Sequence, residues 1–492
     1  MAGDFFTYAA ATYIVQVLGV VTSLAMRYFL EPSTMGVWSL LDLLLNYGLY
    51  SNLGILTVLY TEMPYHLGKK DFEKAGEIRD VGFSFTIFGA GIVGAVFVLW
   101  SVFAGARADA QLRIGVAAIA FILIATCFYN FYVSLMWAHK DFRSLSKAIV
   151  LNASLYLLLI FLFVPRAKLN GLLAAVFISS STAAFYLASQ AKTDALRLRF
   201  DKKALLGLLK AGLPFLVCGL AYTFFMSVDR LVITRTLGLT ALGHYSIALL
   251  VVSYANVIPK LLSIIVFPSM QEDFGASGSR QGIRRFVTKP ATLLAYGAPF
   301  LLGTAYLAAP PLVNAILPKY GPGVESMKVF LLGSFFLALT QPIQTYLTTI
   351  YKRWHGLPMI FAGFVVAFLI CWFSMRQGRG LSAVAFGMSA GFFTYYTLMM
   401  LYVFGHFCDW KETLFFYGEF LLCFIYYVAV VVGVDRFPLP VGNPFAAAAI
   451  RTVVFWLACA PLAVLAERKT GLLSTLRAAV KARSLIKKET TT

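Results

Sequence analysis

The sequence predicts an all-α polytopic membrane protein of about fourteen transmembrane helices, and three observations predict it. Apolar residues make up 60% of the 492 and charged residues only 13%, whereas soluble domains run about 45–50% apolar and about 25% charged. Mean hydropathy is +0.79. The apolar residues fall in repeated runs of about 20, long enough to cross a hydrocarbon layer of about 30 Å as helices. The runs exceed strand length and do not alternate, which argues against a β-barrel. In water the excess would have nowhere to go, because a single core stops growing at roughly 250–300 residues.

The first run, 6–29, follows no basic n-region and continues past signal-peptide length, so it reads as a retained helix. Glu31-Pro32 ends it, since proline cannot continue a helix and restricts the residue before it. Runs follow at 36–62, 81–104 and 113–137, then at 145–165 and 170–190, the last two joined only by Arg166 to Asn170. Six more are predicted at 212–235, 241–268, 290–315, 325–350, 357–375 and 381–404, with Lys319-Tyr320-Gly321-Pro322 marking one joint. A final pair, 413–434 and 445–465, flanks the turn-forming stretch Pro438 to Pro444. Beyond Glu467, Leu472, Leu473, Leu476, Val480 and Ile486 recur near helical spacing among lysines and arginines. That pattern fits an amphipathic helix on an anionic leaflet, or a frayed basic tail. The expected organisation is an N-terminal lobe over 1–205, a C-terminal lobe over 206–405, a helix pair over 406–466 and a basic tail over 467–492.

The net charge of +19 does not indicate nucleic acid, because the charges sit in short connections rather than in one patch. Counted over alternate connections, lysine and arginine divide about 27 against 10. The richer set runs from Lys69, Lys70, Lys74 and Arg79 through Lys202 and Lys203 to the tail. By the positive-inside rule that set and both termini face the cytoplasm. The longest opposite-side connection, Val434 to Pro444, is about eleven residues, too short for a folded domain.

Cys127, Cys218, Cys371, Cys408, Cys423 and Cys459 lie in or beside apolar runs without C-x-x-C spacing and read as buried apolar residues. There is no P-loop for ATP hydrolysis, and the five histidines lack metal-ligand spacing. No serine–histidine–aspartate set is recognisable. We therefore expect no metal, no cofactor and no catalytic residues, and read the chain as a transporter rather than an enzyme.

The ionisable residues inside the runs carry the functional signal, because each costs roughly 2.5–3.5 kcal/mol mid-span on insertion scales. They are Arg27, Asp42, Glu62, Asp229, Arg230, Lys260, Glu419 and Arg451. Glu62 and Arg451 lie near span ends, where a long side chain reaches the interface. Asp229 and Arg230 are adjacent, so on a helix they point about 100° apart and do not pair with each other. Lys260 follows Pro259 in an apolar run, and a proline-broken helix beside a buried cation fits a binding segment. A shift of 207 residues sets Met35-Gly36-Val37-Trp38-Ser39 against Leu242-Gly243-His244-Tyr245-Ser246. It makes the first, second, seventh and eighth runs equivalent by pairs, and these carry most of the charges. Two bundles related by an axis along the membrane normal would then enclose a cavity lined by Arg27, Arg230 and Lys260, suited to an anionic substrate. Pairing of the same charges between helices, for structure alone, is the competing explanation.

The stretch Arg27 to Ser39 (RYFLEPSTMGVWS) resembles the first connection of bacterial polysaccharide-export flippases. Ser227 to Ile233 (SVDRLVI), Leu237-Gly238, Ala241 to Ala248 and Phe267-Pro268-Ser269-Met270 resemble their seventh-to-eighth span signature. The resemblance covers about residues 15–290. It extends to the superfamily that also holds multidrug extruders and lipid II flippases. It implies two six-helix lobes plus a final pair working by alternating access, with an undecaprenyl-diphosphate-linked oligosaccharide, such as an O-antigen unit, as substrate. Arg27, Asp229 and Arg230 match the family's positions; Lys260 does not belong to its pattern. The partners implied are the lipid-linked oligosaccharide, membrane lipids and glycan-assembly proteins, with the chain acting as a monomer. Coupling to H⁺ or Na⁺ would fall to Asp42, Asp229 or Glu419. A cation-coupled extruder of small compounds, a membrane-embedded glycan enzyme and a lipid II flippase proper are the alternatives.

Overall fold

The computed structural model describes residues 2–103, 109–191, 196–350 and 353–471, so the expected tail helix lies outside the described residues. Among them there is no β-strand, and the regular structure is helical throughout. Among the described residues twelve helices are long and apolar enough to cross a membrane, or thirteen when a bent pair counts as one span. The longest, Phe142–Gln190, has 49 residues, and as one rod it would extend about 74 Å. It instead reverses at Lys168, whose φ of 46° and ψ of −121° are not helical. Gly171 consequently lies against the Phe163 carbonyl. Its two arms are the runs predicted at 145–165 and 170–190, which brings the spans to fourteen.

The chain divides into two compact units, Met1–Ser246 and Ile247–Thr492. In the first, α1 (Ala2–Phe29) stops before Glu31, whose extended backbone leads into Pro32 at the head of α2 (Pro32–Gly48). The predicted second span is not one straight helix. A short 3₁₀ turn, Leu49–Asn52, precedes Leu53 and Gly54 in left-handed conformation, and α3 (Ile55–Gly68) departs at 44°. Gly54 has φ of 79°, and a side chain there would also strike the Gly212 carbonyl, so glycine serves two needs at the break. Helices α4 (Phe72–Phe103), α5 (Ala110–His139) and α6 (Phe142–Gln190) pack around a core of Leu59, Phe131, Leu135, Leu145 and Leu187. Asp141 caps α6 through the Ser144 N–H.

The seventh span is broken too. α7 (Lys202–Phe225) is capped by Asp201, whose carboxyl is held below the usual range by the backbone N–H groups of Ala204 and Lys203. It ends at Met226-Ser227, and a nine-residue α8 (Val228–Thr236) completes the crossing. Gly238–Ala255 forms α9 and Val257–Ser277 forms α10, interrupted at Asn256. Pro259 therefore falls in the first turn of α10, where a missing N–H costs nothing, and the interruption sits three residues before the proline.

In the second unit α10 is followed by α11 (Arg285–Ile316), α12 (Val324–Thr349), α13 (Leu357–Arg376), α14 (Leu381–Phe404), α15 (Trp410–Arg436) and α16 (Pro444–Thr470). The most enclosed helix is α12, packed against α11 and α14, while α16 lies along α11. Exposed apolar side chains such as Leu422, Ile425, Val453 and Leu457 cover the outer faces of the last pair. That surface suits lipid rather than water.

Candidate functional site

Two breaks, at Leu53-Gly54 and at Met226-Ser227, open a polar cavity of about 400 Å³ within the first unit. Non-helical backbone at membrane depth is tolerated only where it is buried in protein or faces water, and here it faces this hollow. Asn46, Tyr50 and Asn52 line one wall and Tyr222, Thr223, Ser227 and Arg230 the other. Across it Tyr50 Oη and Thr223 Oγ1 are hydrogen-bonded at 2.8 Å, and Tyr47 is bonded to Ser227.

Arg230 is the cation of the cavity. Its Nη1 lies 3.6 Å from Asp42 Oδ2, a loose pairing, while that carboxylate also accepts from Asn46 Nδ2 at 3.2 Å. Arg230 Nε is buried with no hydrogen-bond partner among the described residues. A guanidinium carries five N–H donors, so most of this one's capacity is unused. Asp229 turns the other way: fully buried, it accepts the Arg230 backbone N–H at 2.7 Å and has the Tyr245 hydroxyl beside it. Its position in the first turn of α8 suits a negative charge. The adjacent pair thus does not bond side chain to side chain.

Arg27 is not among the residues lining this cavity. It donates from Nε to Ser246 Oγ at 3.2 Å, from Nη2 to the Ser246 carbonyl at 2.8 Å and from Nη1 to the Ser23 carbonyl at 3.0 Å. It is 6% exposed, and the two bonds to Ser246 staple α1 to α9. Beside the staple the two copies of the repeated motif meet. A Cβ on Gly36 would overlap the Leu239 carbonyl oxygen, and one on Gly243 would overlap that of Pro32. The two glycines related by the 207-residue shift therefore let the starts of α2 and α9 touch backbone to backbone.

In the second unit Lys260 is exposed rather than the buried cation expected from its apolar run, because it borders a separate cavity of about 410 Å³ between α10 and α12. Glu419 lies elsewhere, accepting from Tyr296 Oη at 2.6 Å and paired with Lys469 at 2.5 Å, so it ties α15 to α11 and α16. Arg451 reaches the Phe437 carbonyl at 3.2 Å and Asp435 at 3.8 Å, with Lys328 on the same carboxylate at 2.8 Å. Sequence reasoning passed over Lys328 and Asp435, and also Asn46, Tyr50 and Thr223, and it used Ser227 only as part of the SVDRLVI signature. The last four are neutral residues in apolar runs, and amide or hydroxyl groups recurring beside the glycines and turns that break the helices were the signal for a cavity wall. No group of three or more metal-ligating side chains is assembled among the described residues.

Solved structures of membrane transporters of the MOP superfamily share this many-span helical fold. Lipid II flippase MurJ in an inward-closed conformation aligns with TM-score 0.67 at 14% identity, covering 94% of this chain and 99% of that one. An inward-facing multidrug resistance transporter of the superfamily aligns with TM-score 0.64 at 15% identity, covering 80% and 97%. A transporter of the superfamily from Pyrococcus furiosus, described as having a binding pocket of reverse polarity, gives TM-score 0.58 at 12% identity over 81% and 93%. Comparison with curated protein sequences finds no match. The family model described as polysaccharide biosynthesis protein matches residues 66–319, more than half the chain, and the chain belongs to that family.

Proposed function

We propose that the chain is a flippase that carries an undecaprenyl-diphosphate-linked oligosaccharide across the bacterial inner membrane by alternating access, with both termini in the cytoplasm. The observation that carries this is the underused Arg230 guanidinium in a polar cavity of the first unit. A diphosphate offers oxygens that a guanidinium binds two at a time, and it would displace Asp42 as the counter-ion. The hydroxyl and amide groups of Asn46, Tyr50, Asn52 and Thr223 give a sugar head a route that hydrocarbon denies it, since each polar group left unpaired there costs several kcal/mol.

Lobes over 1–205 and 206–405 would alternate access to the site, with 406–466 as an added helix pair. With the termini inside, the Arg27 staple and the glycine contact lie toward the outer face and close it. Arg27 then acts on substrate passage as a latch, and Arg230 and Lys260 as binding residues. Asp42, Asp229 and Glu419 are the acidic groups open to ion coupling, Asp42 foremost because it faces the cation that would meet the substrate. An extruder of cationic compounds would need a net negative cavity, whereas Asp42 here is matched by Arg230.

The test is translocation of a short-chain polyprenyl-diphosphate saccharide in proteoliposomes, read as protection from an external glycosidase. Arg230→Gln should lower the rate by about 10–100-fold, the loss of one or two charged hydrogen bonds, at normal membrane abundance. An unchanged rate would remove the proposal.

A further inference from the structure

Within the second unit, the cavity bordered by Lys260 is built from one face of each of two helices. Lys260, Ser263 and Phe267 follow at i, i+3 and i+7 along α10, and Gln341, Gln344, Thr345 and Thr348 along α12. Six of these seven side chains are polar. Two are held without partners. Ser263 is 8% exposed and its hydroxyl makes no hydrogen bond among the described residues, and neither does the buried Gln344 Nε2. Lys260 is exposed at the edge of the cavity and has no ion-pair partner among the described residues, which leaves its ammonium available to a ligand.

Orphaned donors inside a membrane protein are costly unless a ligand completes them. The ligand that fits must accept from an amide, a hydroxyl and an ammonium at once, and must present hydroxyls to the remaining glutamine and threonine oxygens. A monosaccharide bearing an acidic group does this, and Phe267 supplies an apolar face for its C–H side. The volume of about 410 Å³ falls within the usual range of small-molecule sites, roughly 300–1,000 Å³. We infer that the α10–α12 cavity is a sugar-reading subsite in which Gln344 and Ser263 hold ring hydroxyls and Lys260 holds a carboxylate or phosphate substituent of the sugar. The inference rests on the reading of the chain as a carrier of lipid-linked glycans, and it names the part of that glycan which the second unit selects.

The probes are glucuronate, glucose 6-phosphate, glucose and inorganic pyrophosphate, titrated against the purified full-length protein in nanodiscs by calorimetry or thermal shift. The two acidic sugars should bind at least tenfold more tightly than glucose, and whichever of them binds better identifies the substituent as carboxylate or phosphate. Lys260→Met should erase that preference. Gln344→Leu, which keeps the side-chain volume, should weaken both acidic sugars at least tenfold while leaving pyrophosphate binding unchanged. Arg230→Gln should do the reverse. If pyrophosphate binds in an Arg230-dependent way but neither acidic sugar is affected by Gln344→Leu or Lys260→Met, the subsite is overturned and the flippase proposal stands. If the acidic sugars bind through Gln344 while pyrophosphate is not bound, the subsite stands and the diphosphate site is overturned. Glucose binding as tightly as glucuronate and glucose 6-phosphate overturns the role of Lys260.

Discussion

At the scale of single residues, Asp42 and Arg230 are a loose pair rather than a locked one. At 3.6 Å, with the Asp42 side chain 41% exposed, the carboxylate is a competitor that an incoming anion can replace. Asp42→Asn should therefore tighten pyrophosphate binding by roughly fivefold, about 1 kcal/mol, measured by titration in low salt. Weaker binding would show that Asp42 orients the guanidinium instead of occupying it. Outside the spans, burial and then the hydrogen bond to Glu412 push the Cys408 thiol up to about 11 from an ordinary 9.0. A thiol reacts as its thiolate, so maleimide should label Cys408 about 100-fold more slowly at neutral pH than an unperturbed cysteine. The rate should climb steadily as pH rises toward 11. A plateau near pH 9 would refute the shift.

At the scale of elements, the breaks matter more than the helices. Gly54 joins α2 to α3 in a conformation that side chains resist, and the walls of the cavity depend on the resulting bend. The contact of α2 with α9 is equally demanding, because each helix start fits only when the other presents glycine. Gly243→Ala forces backbone apart and should cost about 1–3 kcal/mol as overpacking does, read as a lowered thermal midpoint in detergent. Arg27→Ala, which removes three hydrogen bonds without adding bulk, should open the same contact. A cysteine at Leu239 should then label faster from outside in both variants, and unchanged labelling would deny the latch. The repeat was legible as a 207-residue shift, but the meeting of its two glycines was not. A shift says which residues are equivalent, whereas contact depends on how the chain returns through three dimensions.

At the scale of the whole molecule, the proposed orientation rests on the distribution of lysine and arginine. Cysteines placed beside Lys202 should react only from the cytoplasmic side of intact cells. Reaction from outside would invert the topology and move the Arg27 latch to the inner face. Fourteen crossings were countable from apolar runs, even where the polypeptide turns inside one continuous helical stretch at Lys168, because Arg166 to Asn170 puts two cations and an amide between two runs. The break at Asn256 was placed at Pro259 by sequence reasoning. Proline is tolerated in a first turn, and the sequence does not show where that turn begins.

The amino-acid sequence by itself determined that this protein spans a membrane many times as helices, since the free energy of moving apolar runs out of water depends on composition and length alone. It also singled out the few charges that such an environment makes expensive. Only the tertiary structure decided their partners. It turned Arg27 to a backbone carbonyl, left most of the Arg230 donors unused in a polar hollow, tied Glu419 to Tyr296 and Lys469, and set Lys260 among glutamines and threonines. Hydrogen bonds and ion pairs act over a few ångströms, and residues as far apart as 27 and 246 are brought within that reach only by the folded chain.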